Sequence, residues 1–145
     1  MDMGKLTDVK TVLVVTSSAI MLVLGFLHLV YTFRGIKLHP SNSGLVDAMK
    51  RVPLVITDET TVWKAWLGFN TSHSMAAILF GLLYGYLAIV HSDVLYHSVY
   101  LQSLGFLVLA AFAVLAWVYW FSVPFIGILI SLVCYVASLF LSSSG

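Results

Sequence analysis

His28 and His73 stand inside stretches that otherwise read as lipid-soluble helix, and Asn70, Thr71, Ser72 and Ser74 crowd the turn around His73. Polar groups at membrane depth are costly, and a chain that keeps them has a use for them. Imidazole offers several. Two neutral rings facing each other can ligate a haem iron axially or hold a transition metal. A histidine can also hydrogen-bond a quinone carbonyl or act as a general base near neutral pH, with Asn70 and Ser72 as polarising donors. Arg34 and Lys37, just past the first apolar run, suit a lipid phosphate or an anionic substrate. The plainer alternative is a packing clip, a histidine bonded to a hydroxyl on the next helix, contributing about 0.6 kcal/mol.

What is missing narrows these choices. A metal site needs a third or fourth ligand, and no carboxylate or cysteine lies at the depth of the two histidines. His39 reaches them only if its loop folds back, so no metal site is expected. The chain has no CxxC, no HExxH, no glycine-rich phosphate loop and no carboxylate pair. It has no intramembrane acid to relay protons or bind sodium, which disfavours an ion-driven transporter. His91, Asp93 and His97 fall in the short stretch HSDVLYHS and read as a solvated connection rather than a second metal site. Asn70-Thr71-Ser72 resembles a glycosylation sequon but lies within a span. The sequence names no cofactor and leaves open whether the chain is catalytic.

The elements that carry these residues are long and apolar. Of 145 residues, 61% are hydrophobic and 9% charged, and the mean hydropathy is +1.03. Such a chain has too little charge to cover a soluble surface and reads as one integral membrane domain. A net charge of +1 points to no nucleic acid or other acidic polymer as partner. The single cysteine, Cys134, has no internal disulfide partner.

Four spans are expected, at about 11–33, 65–90, 99–120 and 124–141, each long enough for a bilayer core of roughly 30 Å. The first continues well past Lys10 without a cleavage site and reads as a retained span rather than a signal. On it Ser17, Met21, Gly25, His28 and Thr32 recur at steps of three and four and share one face. On the second, His73, Ala77, Gly81 and Gly85 form a small-residue ridge suited to close helix approach. Gly127, Ser131, Cys134 and Ser138 share a face of the fourth, and Pro124 suits its first turn. Short later connections make this an all-α, four-helix, up-down-up-down transmembrane bundle.

The one long loop, 34–62, opens with Gly35, Pro40, Asn42 and Gly44. Ser43 is the expected cap of a short helix from about Gly44 to Val52. Leu45, Val46, Met49 and Val52 fall on one side of it and Asp47, Lys50 and Arg51 on the other, the pattern of a helix lying in the membrane interface. Pro53 ends it. Trp63, Trp66, Trp117, Tyr119 and Trp120 mark the headgroup belt. The first and second spans run in opposite directions, so His28 and His73 share a depth of roughly 7–12 Å below the first-loop surface at 1.5 Å per residue. Arg34, Lys37, Lys50, Arg51 and Lys64 outnumber Lys5 and Lys10 on the opposite side, which puts the first loop in the cytoplasm.

The stretches GFNTSHSMAAILFGLLYGYL, Gly68 to Leu87, and GFLHLVYTF, Gly25 to Phe33, resemble those of a group of small four-span bacterial inner-membrane proteins. In that group a first-span GxxH and a second-span GFNxSH-like motif recur. The resemblance covers the first two spans and their loop, implies a bacterial inner-membrane location, and directs attention to His28, Asn70, Ser72 and His73. It implies no activity. More distantly, size and span count are similar to those of the DoxX-like four-helix membrane proteins, some of which accompany quinone-linked oxidoreductases.

Three functions follow. The first is a binding or accessory subunit that holds a lipid- or quinone-like molecule through His28, Asn70, Ser72, His73 and Arg34, or packs in a larger membrane complex or homo-oligomer. The second is a membrane enzyme acting on an isoprenoid or lipid headgroup, with His73 as base and Arg34 as anion clamp. The third is a b-type haem protein using His28 and His73.

Overall fold

The computed structural model describes residues 3–34 and 37–143, with side chains from residue 9 to 142 within those ranges. Gly35 and the side chain of Lys5, both part of the sequence reading, lie outside the described residues. The architecture is an all-α four-helix transmembrane bundle. Its elements are α1 (Met3–Phe33), α2 (Ser43–Arg51), β1 (Pro53–Leu54), β2 (Thr57–Thr61), α3 (Val62–Val90), α4 (Ser92–His97), α5 (Val99–Tyr119) and α6 (Ser122–Ser143). Among the described residues four stretches are long and apolar enough to cross a membrane: Val9–Phe33, Val62–Val90, Val99–Tyr119 and Ser122–Ser142. The shortest has 21 residues, against the ~20 that a bilayer core demands. The chain is an integral membrane protein.

Local chemistry sets the element ends. α2 is capped by Asn42 and not by Ser43: the Asn42 side chain accepts from the Gly44 and Leu45 amides at 2.9 and 3.4 Å. Asparagine is at least as good a cap as serine, which moves the helix start one residue forward. Val52 is extended ahead of Pro53, as the proline ring requires. α3 starts three residues before the expected 65, where Thr61 Oγ1 accepts from the Lys64 amide at 3.4 Å. Ser98 caps α5 through the Leu101 amide, and Pro124 sits in the first turn of α6. The connection after α3 is not an open loop but the short helix α4.

The chain divides into two compact units. The first, Met1–Leu24 with Ala77–Gly145, holds one part each of α1 and α3 together with α5 and α6. Its core includes Met21, Phe80, Tyr84, Leu109 and Tyr135, all buried. Small residues let the backbones meet: a Cβ on Gly81 would lie 2.7 Å from the Ser18 carbonyl oxygen and 2.8 Å from Leu22 Cβ. The Gly81–Gly85 ridge is therefore consumed in packing within the chain. Ser17 and Ser131, both fully buried, join their hydroxyls at 2.8 Å, and Ser131 also bonds the Ser17 carbonyl at 3.0 Å.

The second unit, Gly25–Ala76, holds the remaining turns of α1 and α3 and the loop joining them. α2 buries none of its residues, and Leu45 and Val52 are each 50% exposed, which suits a helix resting in the interface. A two-stranded antiparallel hairpin follows, pairing Pro53 with Thr61 and Leu54 with Thr57. It was not expected, because Thr57–Thr61 (TDETT) lacks alternating apolar residues and its two-residue turn, Val55-Ile56, lacks the usual Gly, Asn or Asp. Both turn residues point outward and are the most exposed aliphatic side chains described.

Candidate polar site on the first and third helices

Within the Gly25–Ala76 unit, α1 brings His28 and Thr32 together and α3 brings Trp66, Asn70, His73 and Ser74. His28 Nε2 lies 3.0 Å from Asn70 Oδ1. The His28 and His73 rings meet edge to face, with centroids 5.2 Å apart and planes inclined by 67°. His28, Asn70 and His73 are all half-buried, so the cluster is accessible from outside the chain as well as shielded by it.

Helical spacing of four holds the group in place. Asn70 Nδ2 donates to the Trp66 carbonyl at 2.8 Å. Ser74 Oγ donates to the Asn70 carbonyl at 2.8 Å, and Thr71 Oγ1 to the Leu67 carbonyl at 2.8 Å. On the facing helix, Thr32 Oγ1 donates to the His28 carbonyl at 2.8 Å. Thr32 and Ser74 are 1% and 0% exposed. A hydroxyl that returns its hydrogen to its own helix is the least costly way to carry polarity in hydrocarbon.

Two of the expected site residues stand apart. Ser72 is exposed and donates to the Phe69 carbonyl at 3.0 Å, so it does not join the cluster as a polarising donor. Residues 70, 73 and 74 share one face of a 3.6-residue helix, and residue 72 falls outside it. Arg34 follows the last residue of α1, exposed, with its amide bonded to the Val30 carbonyl at 2.6 Å. The loop does fold back as far as the first turns of α3. There His39 meets Trp63 and Trp66 edge-on at 5.0 and 5.7 Å, and the two indoles stack at 5.0 Å. Lys37 Nζ sits 4.6 Å above the Tyr31 ring and Lys50 Nζ 5.7 Å from that of Trp63, so aromatic faces hold part of the loop's positive charge.

Sequence alone leaves Thr32 and Ser74 outside the expected site and makes Trp66 an interface anchor. The signal was present in the i, i+4 pairs 28/32, 66/70 and 70/74. At the other connection His91, Asp93 and His97 do not converge. His97 Nδ1 donates to the Asp93 carbonyl at 2.8 Å, and His91 Nε2 pairs with the Tyr86 hydroxyl at 3.3 Å.

Among the described residues no group of three or more His, Cys, Asp or Glu could hold a metal ion. A bis-histidine haem needs its two imidazole nitrogens to face each other across the porphyrin plane. Here the rings already touch, and one nitrogen of His28 is engaged by Asn70.

No family model, no curated protein and no solved structure matches the chain.

Proposed function

We propose that this is a bacterial inner-membrane protein that binds a lipid- or quinone-like molecule at the His28–Asn70–His73 cluster, alone or as an accessory subunit of a larger membrane complex or homo-oligomer. The observation that carries the proposal is the bond from His28 to Asn70 with the His73 ring packed against it. Three polar groups on two helices converge at membrane depth and stay half-buried, where a packing clip would bury them fully. The likeness of Gly25–Phe33 and Gly68–Leu87 to small four-span bacterial inner-membrane proteins supports the location. The exposed apolar faces of the spans leave room for lipid or for further subunits: at most 33% of any span's most apolar window is buried within the chain. The touching rings, with no carboxylate grouped with them among the described residues, favour binding over both catalysis by a histidine base and haem ligation.

The test is native mass spectrometry of protein released from nanodiscs. Wild type carries an apolar ligand, and His73→Ala and Asn70→Ala lose it while remaining helical by circular dichroism. Equal ligand content in wild type and both variants overturns the proposal.

A further inference from the structure

We infer that a groove between the loop at His39 and the face of α2 holds the zwitterionic phosphoethanolamine headgroup of a membrane lipid. The inference goes beyond the proposed function. It concerns other residues of the Gly25–Ala76 unit and does not rest on the His28–Asn70–His73 cluster.

The groove encloses about 350 Å³ and is lined by His39, Ser41, Ser43, Val46, Asp47 and Lys50. Both of its walls are tied to the start of a membrane-crossing helix. The Val62 amide donates to the Val52 carbonyl at 3.0 Å, which bonds the end of α2 to the first residue of α3. On the other side the His39 ring meets Trp63 and Trp66, in the first two turns of α3, at 5.0 and 5.7 Å. Tryptophans at the end of a span sit among lipid headgroups, so the groove opens at that level. The ligand within reach there is a headgroup.

The charges in the groove select which one. Residues three apart on a helix are neighbours, and an aspartate and a lysine so placed ordinarily pair. Asp47 and Lys50 do not: among the described residues no ion pair joins them. Lys50 Nζ lies instead 5.7 Å from the Trp63 ring. The side chains of Asp47, Ser41 and Ser43 make no hydrogen bond among the described residues. The groove thus offers one cation, one anion and two hydroxyls, with a formal charge of zero. A ligand of net negative charge would meet Asp47, and one of net positive charge would meet Lys50. A zwitterion pairs with both. Its phosphate oxygens accept from Lys50 and the serine hydroxyls, and its ammonium donates to the Asp47 carboxylate as a charge-assisted hydrogen bond. Such pairs strengthen where the dielectric falls below that of water. Ethanolamine carries the N–H groups that this bond requires, and choline has none. The amides at the start of α2 take no part, because Asn42 accepts from Gly44 and Leu45.

Nanodiscs of equimolar phosphatidylethanolamine, phosphatidylcholine and phosphatidylglycerol with identical acyl chains test this. The readout is the headgroup of the lipid that the protein retains in native mass spectrometry. Phosphatidylethanolamine is expected to be retained about two- to fivefold over each of the others, the range of one exposed ion pair. Asp47→Asn should abolish that preference, and Lys50→Gln should lower retention of all three lipids. Asp47 and Lys50 are both exposed, so both variants should keep the helical circular dichroism of wild type. Glycerophosphoethanolamine, the same headgroup without acyl chains, is added in large excess to separate the two sources. Retention of the lipid in its presence supports the membrane as source. Displacement overturns the membrane as source while supporting the headgroup chemistry. Equal retention of the three lipids, a preference for phosphatidylglycerol, or a preference unchanged in Asp47→Asn overturns the inference and leaves the reading of the His28–Asn70–His73 cluster untouched.

Discussion

The Met1–Leu24/Ala77–Gly145 unit and the Gly25–Ala76 unit both carry polar side chains among apolar ones, and they use them differently. In the first, Tyr84 and Tyr135 are 2% and 0% exposed, and their hydroxyls reach the Leu101 and Gln102 carbonyls at 2.7 and 3.1 Å. Ser17 and Ser131 close on each other. The hydroxyls of Tyr96 and the fully buried Ser138 pair at 2.8 Å. Ser17, Ser131, Ser138, Tyr84 and Tyr135 fasten helices and are closed to the outside, and only Tyr96 among these groups is half-buried. In the second unit the hydroxyls of Thr32, Thr71 and Ser74 turn inward to their own helices, and His28, Asn70 and His73 stay half-buried. Full burial with bonding to the chain marks a fastener. A half-buried polar cluster shared by two helices marks a candidate site.

The largest effect should come from tightening the fastened unit. A Cβ on Gly105 would meet the Tyr135 hydroxyl and lie 2.6 Å from Tyr135 Cζ and 2.7 Å from Tyr84 Cε1. Gly105→Ala should therefore destabilise by about 3 kcal/mol, the upper part of the overpacking range, as read by steric-trap unfolding in bicelles. Gly68→Ala in the other unit meets nothing within 4 Å. It should be neutral, or stabilise by up to ~1 kcal/mol through helix propensity. Equal effects of the two would erase the contrast.

The next effect separates function from stability. Asn70→Ala should cost only about 0.6 kcal/mol of stability yet strip bound ligand. Tyr135→Phe should cost about 1 kcal/mol and leave ligand content unchanged. Unfolding and mass spectrometry on the same preparations check both. A Tyr135→Phe variant that lost ligand would show that the two classes of polar group are not distinct.

The smallest effect concerns pH. Tyr96 lies outside the spans, and burial pushes its phenol above the usual value, an effect only partly offset by Ser138. Lys10 sits over its ring at 4.3 Å. With a folded value raised above the unfolded one, the associated stability is intact below about pH 10 and falls as pH rises beyond it. Tyr96→Phe should flatten that alkaline decline slightly, measured as the midpoint of thermal unfolding between pH 9 and 11. An unchanged slope would remove Tyr96 as its source.

Much of the bundle was legible because hydrocarbon imposes a simple rule: about twenty apolar residues per span and small residues where helices meet. The faces carrying Ser17, Met21 and Gly25, and Ala77 and Gly81, are buried as their spacing implied. The pairing of His28 with Asn70 and His73 could be anticipated from antiparallel spans and equal depth. The hairpin was not legible, because its pairing depends on backbone hydrogen bonds that a polar TDETT strand and a Val-Ile turn do not advertise. Ser72 was misplaced because proximity in sequence was taken for proximity on one face; a single step along a helix turns the side chain by about 100°.

Density of the protein crystallised from a lipid mesophase tests the central claim most directly. The account predicts a headgroup against the His28–Asn70–His73 cluster, within hydrogen-bond distance of an imidazole nitrogen, with His28 still bonded to Asn70. A cluster covered only by alkyl chains or by side chains of a neighbouring copy, with no polar group of a ligand beside either ring, would contradict it.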